Sequence, residues 1–297
     1  MFKLDDYISK KCGTAIAVSG SARSGTTIIG KIIHTFQDVE YVHEPPMLFS
    51  LFGLISEMDE NQWRLLYETY LYEEFLMNAL AGRSLNCNRA DDSSIYNVKS
   101  QKWIEERQNK SLRKMDAELL AHNSRISYKM PDVVPYLPLL KKYYPGTKII
   151  MMLREAPDVF SSLLEKGWFK DETLREKNII WPNRFLKNMR IPFWVDPAHD
   201  ETWVEMDELH RIAYYYIRVN QSVEKLADCI KIKYRDLVKD PRETVQALAK
   251  ELNIRWGEKT DDVLNGVSRR RAIADDRILK NLEAKTREQV EYFSSIS

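Results

Sequence analysis

The stretch Ser19-Gly20-Ser21-Ala22-Arg23-Ser24-Gly25-Thr26-Thr27 carries the sharpest chemical signal in this chain of 297 residues. Its two glycines allow backbone conformations that a β-carbon would hinder. The amides from Ala22 to Thr27 can then turn inward as a nest, and the start of the helix predicted over 25–35 adds partial positive charge. Such a site calls for an oxyanion. The spacing of Gly20 and Gly25 is that of a P-loop, yet Thr26 stands where the lysine belongs, and Arg23 is the only cation in the loop. Enzymes that split ATP or GTP on such a loop use that lysine on the β- and γ-phosphates, usually with magnesium. A P-loop kinase is therefore disfavoured, and stays as an alternative.

The elements that must position these groups are short. Apolar, β-branched segments predict strands over 15–19, 39–43, 126–130, 148–153 and 230–234. Helical patterns lie between and after them, over 25–35, 132–144, 157–166, 208–227 and 241–252. This alternation predicts an α/β fold, a parallel β-sheet of about five strands flanked by helices. A ten-residue helix carries the chain roughly 15 Å from the loop, and a five-residue strand returns it by about the same distance. Glu44 thus comes back to the edge that holds the loop, where Lys129, Arg154 and Tyr234 also fall. Ligands of open α/β sheets sit outside the carboxyl ends of the strands, so this edge is the expected site.

Two stretches exceed the alternation. Residues 51–123 read as a helical insertion with an aromatic start (Trp63, Tyr67, Tyr70, Tyr72, Phe75), whose helical spacing suits core packing. Residues 167–207 hold Trp168, Trp181, Phe193, Trp194 and Trp203 among prolines and read as a long surface loop of the kind that forms lids. Acceptor specificity is expected in these two insertions. No Ser/Gly linker divides the chain, so one domain over 1–297 is expected.

At these residues the sequence resembles a family. The loop SGxxRSGTT is similar to the 5′-phosphosulfate loop of sulfotransferases that use 3′-phosphoadenosine 5′-phosphosulfate (PAPS). Arg154 and Ser162, eight positions apart after a strand, resemble the family's 3′-phosphate segment, with Ala156 where proline is more common. Residues 234–241, YRDLVKDP, are similar to its Y-E-D-L-x-x-D-P stretch. The resemblance implies a P-loop-NTPase-like sulfotransferase fold of the bacterial carbohydrate or natural-product type. It implies PAPS as donor, 3′-phosphoadenosine 5′-phosphate (PAP) as product and no metal. Donor binding would then fall to Ala22, Arg23, Ser24, Gly25, Thr26, Thr27, Arg154, Ser162 and Tyr234, with Arg270 of the Arg269-Arg270-Arg271 run as a further candidate. The histidine of the aryl enzymes' K-T-H-L-P segment is absent from Tyr128-Lys129-Met130-Pro131, so His43-Glu44-Pro45 offers Glu44 as the base, with His43 second. Lys129 would meet the sulfonate or the acceptor, and Arg23 the leaving group. The family's adenine-stacking tryptophan is replaced by Ile28, which leaves Trp168 or Tyr234 for that place. A non-catalytic PAP-binding module is the other alternative.

Composition narrows the partners. Lys+Arg 45 against Asp+Glu 44 leaves a net charge of +1, without the basic excess of a nucleic-acid binder. No apolar run approaches the roughly 18 residues of a membrane span, and the N-terminal MFKLDDYISKK lacks the apolar core of a secretory signal. Cys12, Cys87 and Cys229 are scattered, which argues against a disulfide framework or zinc site and suits a reducing cytoplasm. The expectation is a cytoplasmic enzyme acting on a small-molecule acceptor. The acceptor's identity and the oligomeric state stay open.

Overall fold

The computed structural model describes residues 3–91, 93–109, 114–176, 182–267 and 276–297. Its strands are β1 (Ile16–Gly20), β2 (Val39–His43), β3 (Arg125–Lys129), β4 (Lys148–Leu153), the pair β5 (Asn183–Leu186) and β6 (Met189–Pro192), and β7 (Ile230–Lys233). Five of them form a sheet in the order β2-β3-β1-β4-β7, every pair parallel. The expected α/β class and strand number hold.

A parallel sheet must hide both faces, so its strands read as unbroken apolar runs. All of β1 is buried, as is β4 except Lys148. Successive side chains divide between the faces. Ile16, Val18, Ile150 and Met152 join a core with Ile29, Ile32 and Ile33 of the helix Thr26–Thr35 and with Leu248 and Leu252 of the helix Pro241–Leu252. Ala15, Ala17, Ile149 and Met151 face the other core, shared with the helical segment after β2 and the helix Glu208–Glu224.

Register brings the chemistry to one edge. Gly20 lies level with Met152, His43 with Lys129, and Leu153 with Lys233. The residues that follow β1, β2, β4 and β7, namely Ser21, Glu44, Arg154 and Tyr234, therefore emerge together beside the loop, with Lys129 at the end of β3.

The sequence expectation differs from the fold in three places. The helix expected over 132–144 is a 3-10 turn, Val134–Tyr136, followed by a helix at Leu137–Tyr143. Asp132 turns left-handed (φ 71°) and Pro135 and Pro138 lack N–H groups, so a continuous helix cannot start there. The stretch 167–207 is no surface loop: β5 and β6 form an antiparallel hairpin, and Phe193, Trp194 and Trp203 are buried. Two residues, Lys187 and Asn188, both with positive φ, close that hairpin, the backbone its twist requires. Finally, a helix at Ala284–Ile296 anchors through Val290 and Phe293 and accepts the Ala156 amide on Ser294 Oγ at 2.9 Å, steadying the turn after Arg154. The stretch 51–123 is helical in its larger part, with helices Glu60–Thr69, Gln101–Asn109 and Lys114–Asn123 and a π-helix at Tyr70–Met77.

Candidate active site

The loop after β1 requires both of its glycines. Gly20 and Gly25 have φ of 145° and 96°. A Cβ on Gly20 would meet the Met152 carbonyl at 2.5 Å, and one on Gly25 would meet Tyr234 Cδ2 at 2.6 Å. The nest is smaller than the sequence implies. The Ala22 amide donates to Tyr215 Oη at 2.5 Å, and the Ser24 amide and hydroxyl both donate to the Ser21 carbonyl, at 3.2 and 2.6 Å. Ser24 is fully buried, so it shapes the loop and is turned away from the cavity. The first bond of the following helix runs from Ile29 N to Gly25 O at 3.2 Å. The amides of Gly25, Thr26, Thr27 and Ile28 precede it and have no acceptor within the helix.

One flank of the loop is an arginine cluster. Arg154 Nη1 donates to the Arg23 carbonyl at 2.8 Å, its Nε donates to Asp158 at 3.1 Å, and its guanidinium lies 4.3 Å from the Tyr234 ring centre. Arg23, itself left-handed, donates from Nε to Ser162 Oγ at 2.9 Å and stands 5.9 Å from the Trp168 ring. Arg23, Arg154, Ser162 and Tyr234 are thus one connected group. Arg270 lies outside the described residues, as does Trp181.

The other flank is built by β2 and β3. The Glu44 amide donates to the Lys129 carbonyl at 3.0 Å, and the Lys129 ammonium pairs with Glu44 Oε1 and reaches Thr27 Oγ1 at 3.3 Å. The Lys129 side chain is almost wholly buried, so this pair ties the carboxylate to the loop. His43 Nε2 lies 3.8 Å from Glu44 Oε1 but does not line the cavity. Burial, reinforced by the Lys129 charge, holds the His43 imidazole below its ordinary range, so the ring is neutral at pH 7.

Sequence reasoning misses Asp132. Its Oδ1 accepts the Tyr215 hydroxyl, which in turn accepts the Ala22 amide. Burial, with the Glu44 charge adding to it, pushes the Asp132 carboxyl up to about 6. The same burial, with Asp132 adjacent, keeps the Tyr215 hydroxyl protonated well above its usual range. Its only sequence signal is its position, three residues past Lys129 on the edge where every other candidate falls.

These groups open on one cavity of about 760 Å³. Arg23, Gly25, Thr27, Glu44, Lys129, Asp132, Arg154 and Tyr234 form its polar side. Trp168, Phe169, Arg190, Phe193 and Trp194 form the facing wall, all from the stretch 167–207. Among the described residues, 51–123 contributes nothing to the lining, so the expectation that both insertions shape the acceptor site fails for the first. Among the described residues no group of three metal-ligating side chains gathers, and no helix is long and apolar enough to cross a membrane.

Comparison with known proteins agrees with this architecture. The solved sulfotransferase domain from the curacin biosynthetic pathway is 14% identical, with a TM-score of 0.50 over 95% of this chain and 96% of that one. A sulfotransferase domain from the Synechococcus PCC 7002 olefin synthase is 12% identical over 95% of this chain and 93% of that one, with a TM-score of 0.46. No curated protein matches the chain. At such identities the curacin-pathway domain speaks for the fold alone. The model of the sulfotransferase family matches residues 15–258, from β1 past the helix Pro241–Leu252. That span is most of the chain and contains every described candidate residue, and the protein belongs to the sulfotransferase family.

Proposed function

We propose that this sulfotransferase draws its sulfonate from PAPS and passes it in line to a hydroxyl or amine of a small-molecule acceptor, with Glu44 as the base. The observation that carries this reading is the convergence of the loop's first-turn amides and the Glu44–Lys129 pair on one cavity. The groups present suit the donor, since bare amides at a helix start favour an oxyanion and Arg154 beside them offers a second anion site.

PAPS, when bound, supplies a sulfonate whose S–O bond to the 5′-phosphate breaks as the acceptor oxygen or nitrogen bonds to sulfur, leaving PAP. The amides of Gly25, Thr26 and Thr27, with Arg23, hold the 5′ end and offset the charge that develops there. Arg154 and Ser162 hold the 3′-phosphate, and Tyr234 flanks the nucleoside. Glu44 takes the acceptor's proton on its carboxylate, while Lys129 fixes that carboxylate and neutral His43 borders it. The chain 1–297 acts here as one domain, with 167–207 as its acceptor wall.

A thermal-shift panel of PAP, PAPS, magnesium-ATP and GTP tests the donor. A ligand at a hundredfold excess over Kd adds roughly 2.7 kcal/mol to the folded state, so PAP raises the melting temperature and magnesium-ATP does not. Stabilisation by magnesium-ATP without PAP would establish the kinase alternative. Glu44→Gln lowers turnover at least about a hundredfold while the PAP shift persists. Unchanged turnover in that variant would remove Glu44 as the base.

A further inference from the structure

Two arginines stand on the aromatic side of the cavity, and their surroundings differ. Arg211 is fully buried and fully used. Its guanidinium donates to the carbonyls of Trp203, Phe169 and Val204 at 3.0, 2.9 and 3.1 Å and pairs with Asp171 at 2.6 Å. Arg190 lines the cavity and is half-buried. Its Nη2 donates to the Thr173 carbonyl at 2.5 Å, while its Nε is buried without a hydrogen-bond partner. No ion pair among the described residues includes Arg190: the Glu176 carboxylate acts on it only from beyond ion-pair distance, and Asp171 is committed to Arg211 and Arg175. Arg218 also has a partnerless Nε, but it pairs with Asp196 and lies outside the cavity.

The hairpin explains why Arg190 faces the cavity. Side chains alternate along β5 and β6, and Met189 and Ile191 are buried in the core. The opposite face carries Asn183, Phe185, Arg190 and Pro192, with Arg190 directly across from Phe185. Asn183, Arg190 and Pro192 border the cavity, and Phe185 is exposed. A guanidinium has five donors in a planar fork that suits a carboxylate. Here burial on a wall shared with Phe169, Phe193 and Trp194 costs it water, the Glu176 charge offsets part of that from a distance, and one neutral carbonyl is its only side-chain hydrogen-bond acceptor among the described residues. Such a charge gains most from an anion that enters the cavity.

Resting on the acceptor reading above, we propose that the acceptor carries a carboxylate that Arg190 binds, with an apolar or aromatic body against Trp168, Phe193 and Trp194. The carboxylate sits at the far wall and the reacting hydroxyl or amine points to Glu44. The acceptor class is thus hydroxy or amino acids with an apolar spacer.

Matched pairs test this: 4-hydroxyphenylacetate, 3-(4-hydroxyphenyl)propionate and 12-hydroxydodecanoate, each against its methyl ester. Binding is measured by calorimetry on the PAP-free and PAP-loaded chain, and turnover with PAPS. At least one acid binds about ten- to hundredfold more tightly than its ester, the range of a charge-assisted hydrogen bond. Arg190→Gln abolishes that ratio, raising KM for the acid with kcat, ester affinity and PAP affinity kept; Arg190→Lys retains part of it. The proposal is overturned if no acid outbinds its ester, or if Arg190→Gln weakens acid and ester alike. Failure of PAP to bind would instead overturn the donor reading, since the acid–ester ratio on the PAP-free chain judges Arg190 separately.

Discussion

Residues 51–123 and 167–207 both interrupt the strand–helix alternation and both are rich in aromatic residues, yet they do opposite work. In the first, Trp63 and Tyr67 stack at 4.8 Å, are wholly buried, and end on polar partners inside the protein: Trp63 Nε1 donates to the Leu51 carbonyl at 2.6 Å, and Tyr67 and Tyr128 share a bond at 2.9 Å. Even Glu68 is sealed, accepting from Ser9 and Tyr144 at 2.8 and 2.7 Å. In the second, Trp194 and Phe193 turn one side to the cavity, Trp168 is 43% exposed, and Arg190 keeps donors in reserve. Aromatic content alone does not separate a core from a cavity wall. The state of the polar groups does: around Trp63, Tyr67 and Glu68 the polar atoms have met their hydrogen bonds, whereas Arg190 Nε on the cavity wall has not.

Substitution separates the two regions further. The largest effect falls on Trp63→Ala, which leaves a large void in the core and lowers stability by about 3–5 kcal/mol, read by urea unfolding. PAP affinity of the folded fraction stays unchanged; a lost acceptor preference with stability intact would break the contrast. Asp132→Asn probes the footing of the second region, since Tyr215 bonds Asp132 and packs on Trp194 and Phe169 at 4.8 and 5.6 Å. The folded state raises the Asp132 carboxyl to about 6 from 3.8, so it binds more protons than the unfolded chain between those values. Wild-type stability from this group is present below pH 4 and declines as pH rises through 6. Asp132→Asn is therefore more stable than wild type at pH 8, by on the order of 3 kcal/mol, and the gap closes toward pH 4. A gap independent of pH would show that the carboxyl titrates normally. The smallest effect on stability is that of Trp168→Ala, within about 0.5 kcal/mol for an exposed residue. Its signature is a raised acceptor KM at unchanged melting temperature, the mirror image of Trp63→Ala.

Much of the sheet edge was legible because each piece announces itself locally. Parallel strands such as Lys148–Leu153 are apolar runs with abrupt ends, and Gly20 and Gly25 mark a turn that tolerates no side chain. The register then required Glu44, Lys129 and Arg154 to gather, and they do. What escaped depends on distant pairings. Asp132 gains its meaning only from Tyr215, and Arg23 of the loop after β1 and Ser162 of the helix Ala156–Lys166 hold each other across a long sequence separation. The hairpin 183–192 was hidden because its strands have four residues each and its turn, Lys187-Asn188, contains no glycine. Arg190 was invisible for the same reason, since its placement depends on which face of that hairpin enters the core.

The contact between Gly25 and Tyr234 constrains evolution at a distance. Position 25 is restricted by its own torsion and also by a ring contributed from the end of the last strand, on which Arg154 rests. A methyl at 25 would displace that ring, and the ring would carry the arginine with it. Drift at either end of this trio is therefore tolerated only when the others change in step, which makes residues 25, 154 and 234 a set expected to covary across relatives.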